Sequence, residues 1–236
     1  MTRIGILCAG NRELAPFLPH MQGCKTSEKA MLRVHEGTIG GVSVAALFCG
    51  ICKTNAAIAA QILIDGYHVD GIINAGTAGG MDGGVALLDT VVATETAHHD
   101  VEDGLLTAFH PWMPSVWFKS DETLLALAKT VSERVQTGRK IHFGRMVTGE
   151  KFITDEGRTE INAAFQPLSV DMETASIAHV CYVNRVPFLA ARSITDTAAH
   201  SGEGNFEQNC GAASEISKDF VLALLAELKN HRGPTA

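Results

Sequence analysis

Two acidic segments in the last third of the chain carry the strongest chemical signal. The first covers residues 170–173 and ends in Glu173, and the second covers 192–196 and ends in Asp196. Each has the composition of a buried strand that finishes in carboxylates, with a helix between the two. Open α/β sheets place their chemistry at strand ends, and paired carboxylates in one cleft can divide acid and base work. The two segments therefore predict an active site.

A glycine-rich segment at residues 76–80 directly follows an apolar run at 71–75. This order predicts a strand that leads into a tight glycine turn. There the backbone amides and the Thr77 hydroxyl could approach a flat or polyol ligand closely. The segment matches neither the dinucleotide-binding nor the P-loop pattern. A turn without any ligand is an equally good interpretation of this segment alone.

The composition indicates a globular protein that binds neither nucleic acid nor membranes. Of the 236 residues, 46% are hydrophobic and 19% charged, and the formal net charge is −7. This charge repels phosphate-rich polymers and anionic lipid on average, and no apolar run approaches the roughly 18–20 residues of a membrane span. The apolar stretch at residues 4–9 is too short for a signal-peptide core and predicts a first strand.

The cysteines and histidines offer weaker candidates for chemistry. Cys49 and Cys52 form a C-x-x-C pattern, but residues 53–55 separate it from the next helix, unlike in thioredoxin-like motifs. We favour unpaired cysteines in a reducing cytoplasm over a redox protein. His98 and His99 are the best metal candidates, yet no further ligands follow at a recognised spacing. We expect no metal and no cofactor.

Short β-rich runs alternate with amphipathic helices along the whole chain, which predicts one α/β domain over residues 1–232 with a flexible tail at 233–236. A helix capped by Asp121 and a closing helix are the clearest helical predictions. The predicted strands cover 4–8, 40–49, 71–76, 89–95 and 187–192, and the other predicted helices cover 13–18 and 56–64. The closing helix is expected to bury Ala212, Ile216, Phe220, Leu224 and Leu228.

A loop at residues 98–114 stands apart because it carries bulky apolar groups, among them Leu105, Leu106, Phe109 and Trp112. Such groups have to be buried somewhere. The loop could fold over a ligand or pack against a second subunit.

Several segments, in order along nearly the whole chain, resemble the purine nucleoside phosphorylase/uridine phosphorylase superfamily, and most closely its bacterial 5′-methylthioadenosine/S-adenosylhomocysteine nucleosidases. The resemblance implies a single-domain three-layer sandwich with a central mixed, twisted sheet flanked by helices. It also implies a hydrolase that releases adenine from 5′-modified adenosines and has a place in methionine salvage. The segments are 4–6 with Glu13, 50–57, 74–80, 99–100, 107–109, 149–153, 170–173 and 192–196.

The resemblance implies separate roles for three carboxylates. Asp196 would protonate N7 of adenine, so that the base leaves neutral. Glu13 would orient and deprotonate the water that attacks C1′. Glu173 would bind the ribose hydroxyls and stabilise the developing oxocarbenium charge. Asp171 stands where the family usually has glutamate, and it receives no role beyond that of a structural partner.

Further residues would contact the substrate. Phe152 would stack on adenine, the Ile153 backbone would bind its edge, and Met172 would pack on the sugar. Arg192 would fix the carboxylates, and Phe206 would serve as an aromatic lid. The remaining contacts implied by the resemblance are Ile51, Thr77, Ala78, Gly79, Leu106 and Phe109.

The nucleophile separates the two branches of the superfamily. The phosphorylases are similar to one another in having an arginine three residues before the Ser/Thr of the glycine segment. This chain has Asn74 at that position. A neutral amide cannot supply a bidentate cationic fork for phosphate. We therefore favour hydrolysis, with a phosphorylase, a different 5′-substituent preference and a non-catalytic nucleoside-binding module as alternatives. The resemblance also implies a homodimer in which loop 105–112 contributes to the neighbouring site.

Overall fold

The structure is a computed structural model that describes residues 3–102, 104–109, 113–135, 138–154 and 156–231. Its strands are β1 Arg3–Cys8, β2 Gln22–Lys29, β3 Leu32–Ile39, β4 Val42–Phe48, β5 Gly71–Gly80, β6 Thr90–His98, β7 Phe118–Lys119, β8 Ile141–Thr148, β9 Ser169–Asp171 and β10 Phe188–Asp196. Its α-helices are α1 Asn11–Leu14, α2 Lys53–Tyr67, α3 Leu105–Phe109, α4 Glu122–Arg134, α5 Arg158–Phe165, α6 Thr174–Asn184 and α7 Glu203–His231, with a 3-10 helix at Ala15–His20 after α1.

The strands form one mixed sheet, as the family resemblance implies. At its centre β5 pairs in parallel with both β1 and β10. From β10 the pairing continues through β6, β8 and β9 and returns to β5, so these five strands close a ring. On the other side of β5 the sheet stays open through β1, β4, β3 and β2. The ring brings the ends of strands that are distant in sequence into contact.

Helices cover both faces of the sheet, which confirms the three-layer α/β arrangement. On one face α2 and α6 bury apolar side chains that include Leu63 and Ile177. On the other face α4 and α7 bury Leu124 and Phe220. Asp121 caps α4 as predicted, because its carboxylate accepts a hydrogen bond from the Leu124 amide at 2.9 Å. None of the helices in the described part of the chain combines the length and the hydrophobicity needed to cross a membrane.

The glycine segment at 76–80 is not the turn that the sequence predicts. It continues β5 to Gly80, because β10 pairs with it as far as Asp196 and β9 pairs with its last two residues. The sequence also gave no indication of the hairpin formed by β2 and β3. All eight residues of β2 are exposed, so this strand lacks the apolar alternation by which strands are recognised.

Helix α7 turns a slightly different face to the core than its spacing predicts. Phe220, Leu224 and Leu228 are buried as expected, but Ala212 is exposed and Ile216 only half-buried. The inward position is taken instead by Ser217. Its hydroxyl accepts a hydrogen bond from the Gly76 amide of β5 at 3.0 Å and donates to the Ala191 carbonyl of β10 at 2.9 Å. The last helix is thus bonded directly to both strands that carry the predicted site.

The predicted loop at 98–114 is partly helical, since it contains α3. Leu105 and Phe109 on this helix are 44% and 76% exposed. Leu106 packs against the core between the sheet and α2. The predictions for residues 110–112 of the loop, including Trp112, and for the tail at 233–236 lie outside the described residues.

The buried amide of Asn74 joins three parts of the fold at the middle of β5. Its Nδ2 donates to the Leu7 carbonyl of β1 at 2.9 Å. Its Oδ1 accepts hydrogen bonds from the Thr174 hydroxyl of α6 at 2.7 Å and from Nη1 of Arg192 at 3.2 Å. Because the side chain is fully buried, no solvent can replace these partners.

We expect Asn74→Leu to lower the free energy of unfolding by about 1–3 kcal/mol, since the similar volume is kept while buried polar groups lose their partners. Urea denaturation measures this change. The matched control is Gln61→Leu, whose amide bonds to Asp65 and Asn184 lie partly in solvent, and its effect should be clearly smaller. Equal losses in the two variants would contradict the role assigned to Asn74.

Candidate active site

Arg192 lies at the centre of the predicted site. Strand β10 carries it into the interior, where it is only 2% exposed. Its Nη1 lies 3.2 Å from Oδ2 of Asp171, and its Nη2 lies 3.2 Å from Oε2 of Glu173 and 3.6 Å from Oε1 of Glu13. Nε donates to the Thr77 carbonyl at 2.6 Å. Burial disfavours the charge, but the surrounding carboxylates outweigh it and raise the pKa of Arg192.

Glu13 is held by the β1–α1 connection and by β5. The amides of Ala9 and Gly10 donate to its Oε2 at 2.8 and 3.0 Å. The amide and hydroxyl of Thr77 donate to its Oε1 at 2.7 and 2.8 Å. A side chain on Gly76 would collide with this carboxylate, because a Cβ there would lie 2.4 Å from Oε1. The glycine segment therefore serves to let Glu13 approach the backbone of β5.

Glu173 stands just before α6 and is 2% exposed. Its Oε1 accepts a hydrogen bond from the Cys52 amide at 3.0 Å, while its Oε2 faces Arg192. Burial raises the pKa of Glu173 to about 7, with Arg192 opposing the shift and Asp171 adding to it. Cys52 has a φ of 82°, a conformation that favours glycine. Cys52 thus adopts this conformation where its backbone amide donates to Glu173.

Asp171 anchors the other groups. Its Oδ1 accepts hydrogen bonds from the Thr148 hydroxyl at 2.6 Å and from the amides of Glu173 and Thr174 at 3.1 Å each. Its Oδ2 shares the Thr174 hydroxyl with Oδ1 of Asn74 and faces Arg192. The carboxylate thus ties the end of β8 to the start of α6, in agreement with a structural role.

Asp196 ends β10 and is 1% exposed. The pairing with β5 shifts between Ile194 and Asp196, and this irregularity places Asp196 opposite Gly79. A Cβ on Gly79 would lie 3.0 Å from Oδ2 of Asp196, so the glycine makes room for the carboxyl group. Burial raises the pKa of Asp196, while a hydrogen bond from the Thr195 hydroxyl at 2.9 Å opposes the shift. A carboxyl group with a raised pKa suits proton donation.

The two aromatic residues predicted near the base meet in space. The rings of Phe152 and Phe206 lie 6.2 Å apart in an edge-to-face arrangement, and both are half-buried. Ile153 packs on a small apolar cluster that includes Val170. Met172, between two of the site carboxylates in sequence, is half-buried.

The other predicted contact residues differ in exposure. Ala78 is buried, and its carbonyl oxygen, 3.3 Å from the Thr195 hydroxyl, shares that donor with Asp196. Ile51 is 62% exposed at the start of α2, beside Cys52, and Phe109 on α3 points largely into solvent. The structure brings Thr77 and Arg192 into the carboxylate cluster, whereas the side chains of Ile51 and Phe109 are exposed.

The C-x-x-C thiols lack the property that redox motifs need. Reactive dithiols have lowered pKa values, whereas burial raises the pKa of Cys49 and raises that of Cys52 to about 11. Both are free cysteines. Within the described ranges, His, Cys, Asp and Glu side chains form no group of three or more that could hold a metal ion.

Sequence reasoning missed three contributors to the site: the hydroxyl of Thr148, the amide of Asn74 and the backbone N–H of Cys52. A hydroxyl or amide within a buried strand is indistinguishable in sequence from one that merely fills space. The spacing of Asp171, two and three residues before Glu173 and Thr174, is typical of local carboxylate–amide bonds at helix starts. It signals the local role of Asp171 but does not point to the three missed groups.

Comparisons with known proteins identify the family of the chain. The phosphorylase superfamily model matches residues 3–226. A 5′-methylthioadenosine/S-adenosylhomocysteine nucleosidase from Actinobacillus succinogenes is 38% identical, covering 96% of this chain and 100% of the relative.

Solved structures of such nucleosidases are also similar. The enzyme from Colwellia psychrerythraea in complex with adenine aligns with a TM-score of 0.88 at 33% identity, over 96% of each chain. The enzyme from Streptococcus pneumoniae with a transition-state inhibitor aligns with a TM-score of 0.87 at 29% identity, over 96% of this chain and 99% of the other. The chain belongs to the phosphorylase superfamily and, within it, to the family of 5′-methylthioadenosine/S-adenosylhomocysteine nucleosidases.

Proposed function

We propose that this protein hydrolyses the N-glycosidic bond of 5′-methylthioadenosine and S-adenosylhomocysteine, releasing adenine and the 5′-thio-ribose, as an enzyme of methionine salvage in the cytoplasm. Family membership and the buried cluster of Glu13, Asp171, Glu173 and Arg192 support this proposal. The free cysteines agree with a reducing compartment.

The observation that favours water over phosphate is the charge of this cluster. Three carboxylates surround Arg192, which is the only cation in contact with them among the described ion pairs. A phosphate dianion would therefore meet an excess of negative charge. Asn74 stands at the position where the phosphorylases share an arginine, and its amide is already bonded to protein groups.

Asp196 acts as the general acid in this proposal. Its raised pKa keeps the carboxyl group protonated closer to neutral pH. It can then donate its proton to N7 as the bond between C1′ and the base breaks, so adenine leaves without a negative charge. Phe152 and Phe206 would enclose the base beside it.

Glu13 acts as the general base for the attacking water. Its carboxylate already accepts four hydrogen bonds, three of them from backbone amides that cannot turn away. The Thr77 hydroxyl is the one donor that can rotate. A water that binds Glu13 would replace this hydroxyl at the carboxylate oxygen or bind beside it. In this proposal the carboxylate thereby holds the water below C1′.

Glu173 binds the ribose hydroxyls and faces the positive charge that develops on the sugar. Its contacts with the Cys52 amide and with Arg192 fix its orientation and leave acceptor sites on both oxygens. Met172 would pack against the sugar next to it. Because the pKa of Glu173 is about 7, its anionic form and the stabilisation it supplies are lost as the pH falls below neutrality.

The exposed apolar residues support a homodimer. Ile58 on α2 and Val183 on α6 are 46% and 48% exposed. The two helices pack together and are joined by hydrogen bonds between Gln61 and Asn184. Ile51, Leu105 and Phe109 add exposed apolar surface at neighbouring elements. We infer that loop 105–112 of one subunit closes the 5′-substituent pocket of its partner.

We expect adenine release from 5′-methylthioadenosine in phosphate-free buffer, at a rate that added phosphate does not increase. Chromatography of adenine and the free thio-ribose measures both products. Formation of a ribose 1-phosphate, or adenine only when phosphate is present, would identify a phosphorylase instead.

Asp196→Asn and Glu13→Gln should each lower kcat by roughly 10²–10⁴-fold, because each removes a proton-transfer group while keeping the shape of the side chain. Calorimetry with adenine should still detect binding. The control is Glu207→Gln, an exposed acid paired with Arg12, which should leave kcat unchanged. Full activity of either site variant would exclude the role assigned to it.

The double variant Ile58→Asp/Val183→Asp should sediment as a monomer and show a raised KM, since charge on the apolar face disfavours association and leaves the 5′ pocket incomplete. Met31→Asp is the matched control, because Met31 is 94% exposed on the β2–β3 turn, away from this face. A monomeric unmodified protein would contradict the dimer, and dissociation in the Met31 variant alone would contradict the face assigned to it.

A further inference from the structure

Arg158, the first residue of α5, is buried in a way that arginine seldom is, with 6% of its surface exposed. Its Nη1 donates a hydrogen bond to the Gly80 carbonyl and lies 3.3 Å from the sulfur of Met81. Its Nε and Nη2 are buried and have no hydrogen-bond partner among the residues that the structure describes. Burying a guanidinium with unmade bonds costs free energy, so its position calls for a compensating role.

The carbonyl that Arg158 binds belongs to the strand end beside the general acid. A Cβ on Gly79 would lie 3.0 Å from Oδ2 of Asp196, and one on Gly80 would lie 3.4 Å from the carbonyl oxygen of Asp196. The end of β5 therefore binds Arg158 through the Gly80 carbonyl and pairs with Asp196 through Gly79. Since these two glycines have no side chains, only backbone bonds can fix this end of the strand.

We propose that Arg158 is a positioning residue for the general acid: it fastens the end of β5 against Asp196 and keeps a positive charge near the carboxylate that forms when Asp196 gives up its proton. This inference rests on the acid role proposed for Asp196. The proton moves from the Asp196 carboxyl to N7 of adenine as the glycosidic bond breaks. A buried anion then remains on Asp196, and a nearby cation stabilises it.

The surroundings of Asp196 leave this task to Arg158. The hydrogen bond from Thr195 is neutral, and α7 contributes the amide of Asn209, which binds the Thr195 carbonyl at 2.9 Å. The side facing β5 consists of glycine. Arg192, further back on β10, is committed to the other carboxylates. Among the described residues, Arg158 is the charged group that counteracts the effect of burial on the pKa of Asp196, lowering it.

The test compares pH profiles of kcat/KM for adenine release by the unmodified enzyme, Arg158→Met and Arg158→Lys. Loss of the Asp196 proton produces the alkaline limb. Without the positive charge the pKa of Asp196 rises further, so the limb of the Met variant should move to higher pH. The Lys variant, which keeps the charge, should retain the original limb. Arg158→Gln keeps a donor for the Gly80 carbonyl but no charge, and should move the limb as Met does.

The control is Arg145→Met, because Arg145 pairs with Glu95 and stacks on Trp117 rather than acting on Asp196. Its limb should coincide with that of the unmodified enzyme. Thermal unfolding checks that each variant is folded. If Arg158→Met does not fold, Arg158→Gln replaces it in the comparison.

An unmoved limb in both neutral variants, or an equal shift in the Lys variant, would overturn the inference. If the unmodified enzyme released no adenine, the proposed function itself would fail. An active unmodified enzyme with an unmoved limb in the neutral variants would reject only the role of Arg158.

Discussion

The buried guanidinium of Arg192 needs partners, and the arrangement of the site follows from that need. An isolated buried charge costs several kcal/mol, yet here three carboxylates approach it from β1–α1, β9 and α6. Glu13 and Glu173 are thereby held in place without any contribution from a ligand. The carboxylate of Asp171 also accepts hydrogen bonds from the backbone amides and hydroxyls around it. Removing the cation would leave three buried carboxylates in mutual repulsion.

The closed ring of five strands explains how such distant residues meet. Closure of the ring pairs β9, which carries Asp171, with the end of β5 on one side and with β8 on the other. The irregular pairing between Ile194 and Asp196 then turns the last carboxyl group toward Gly79. The geometry of the candidate site thus depends on the closure of the sheet and on one local irregularity within it.

Much of the fold and part of the site could be predicted from sequence. Asp121, the apolar strands and the acidic strand ends give local signals, because propensity and periodicity act over a few residues. The exposed strand β2 gives none. The backbone amide of Cys52 gives none either, since its orientation depends on a positive φ. The contact of Arg158 with Gly80 joins residues 78 positions apart, and no local pattern encodes it.

The hydroxyl of Ser217 has a consequence for the order in which the protein folds. It links β5 and β10 through a helix that ends at His231. A chain in which this helix has not yet docked keeps the direct pairing of Gly76 with Arg192, but the Gly76 amide and the Ala191 carbonyl lack the hydroxyl that they share. Contacts of such long sequence separation form late and slow folding. The sheet and the contacts of Arg192 with its three carboxylates can therefore form before α7 docks, and docking of α7 then adds the bonds behind Gly76 and Ala191.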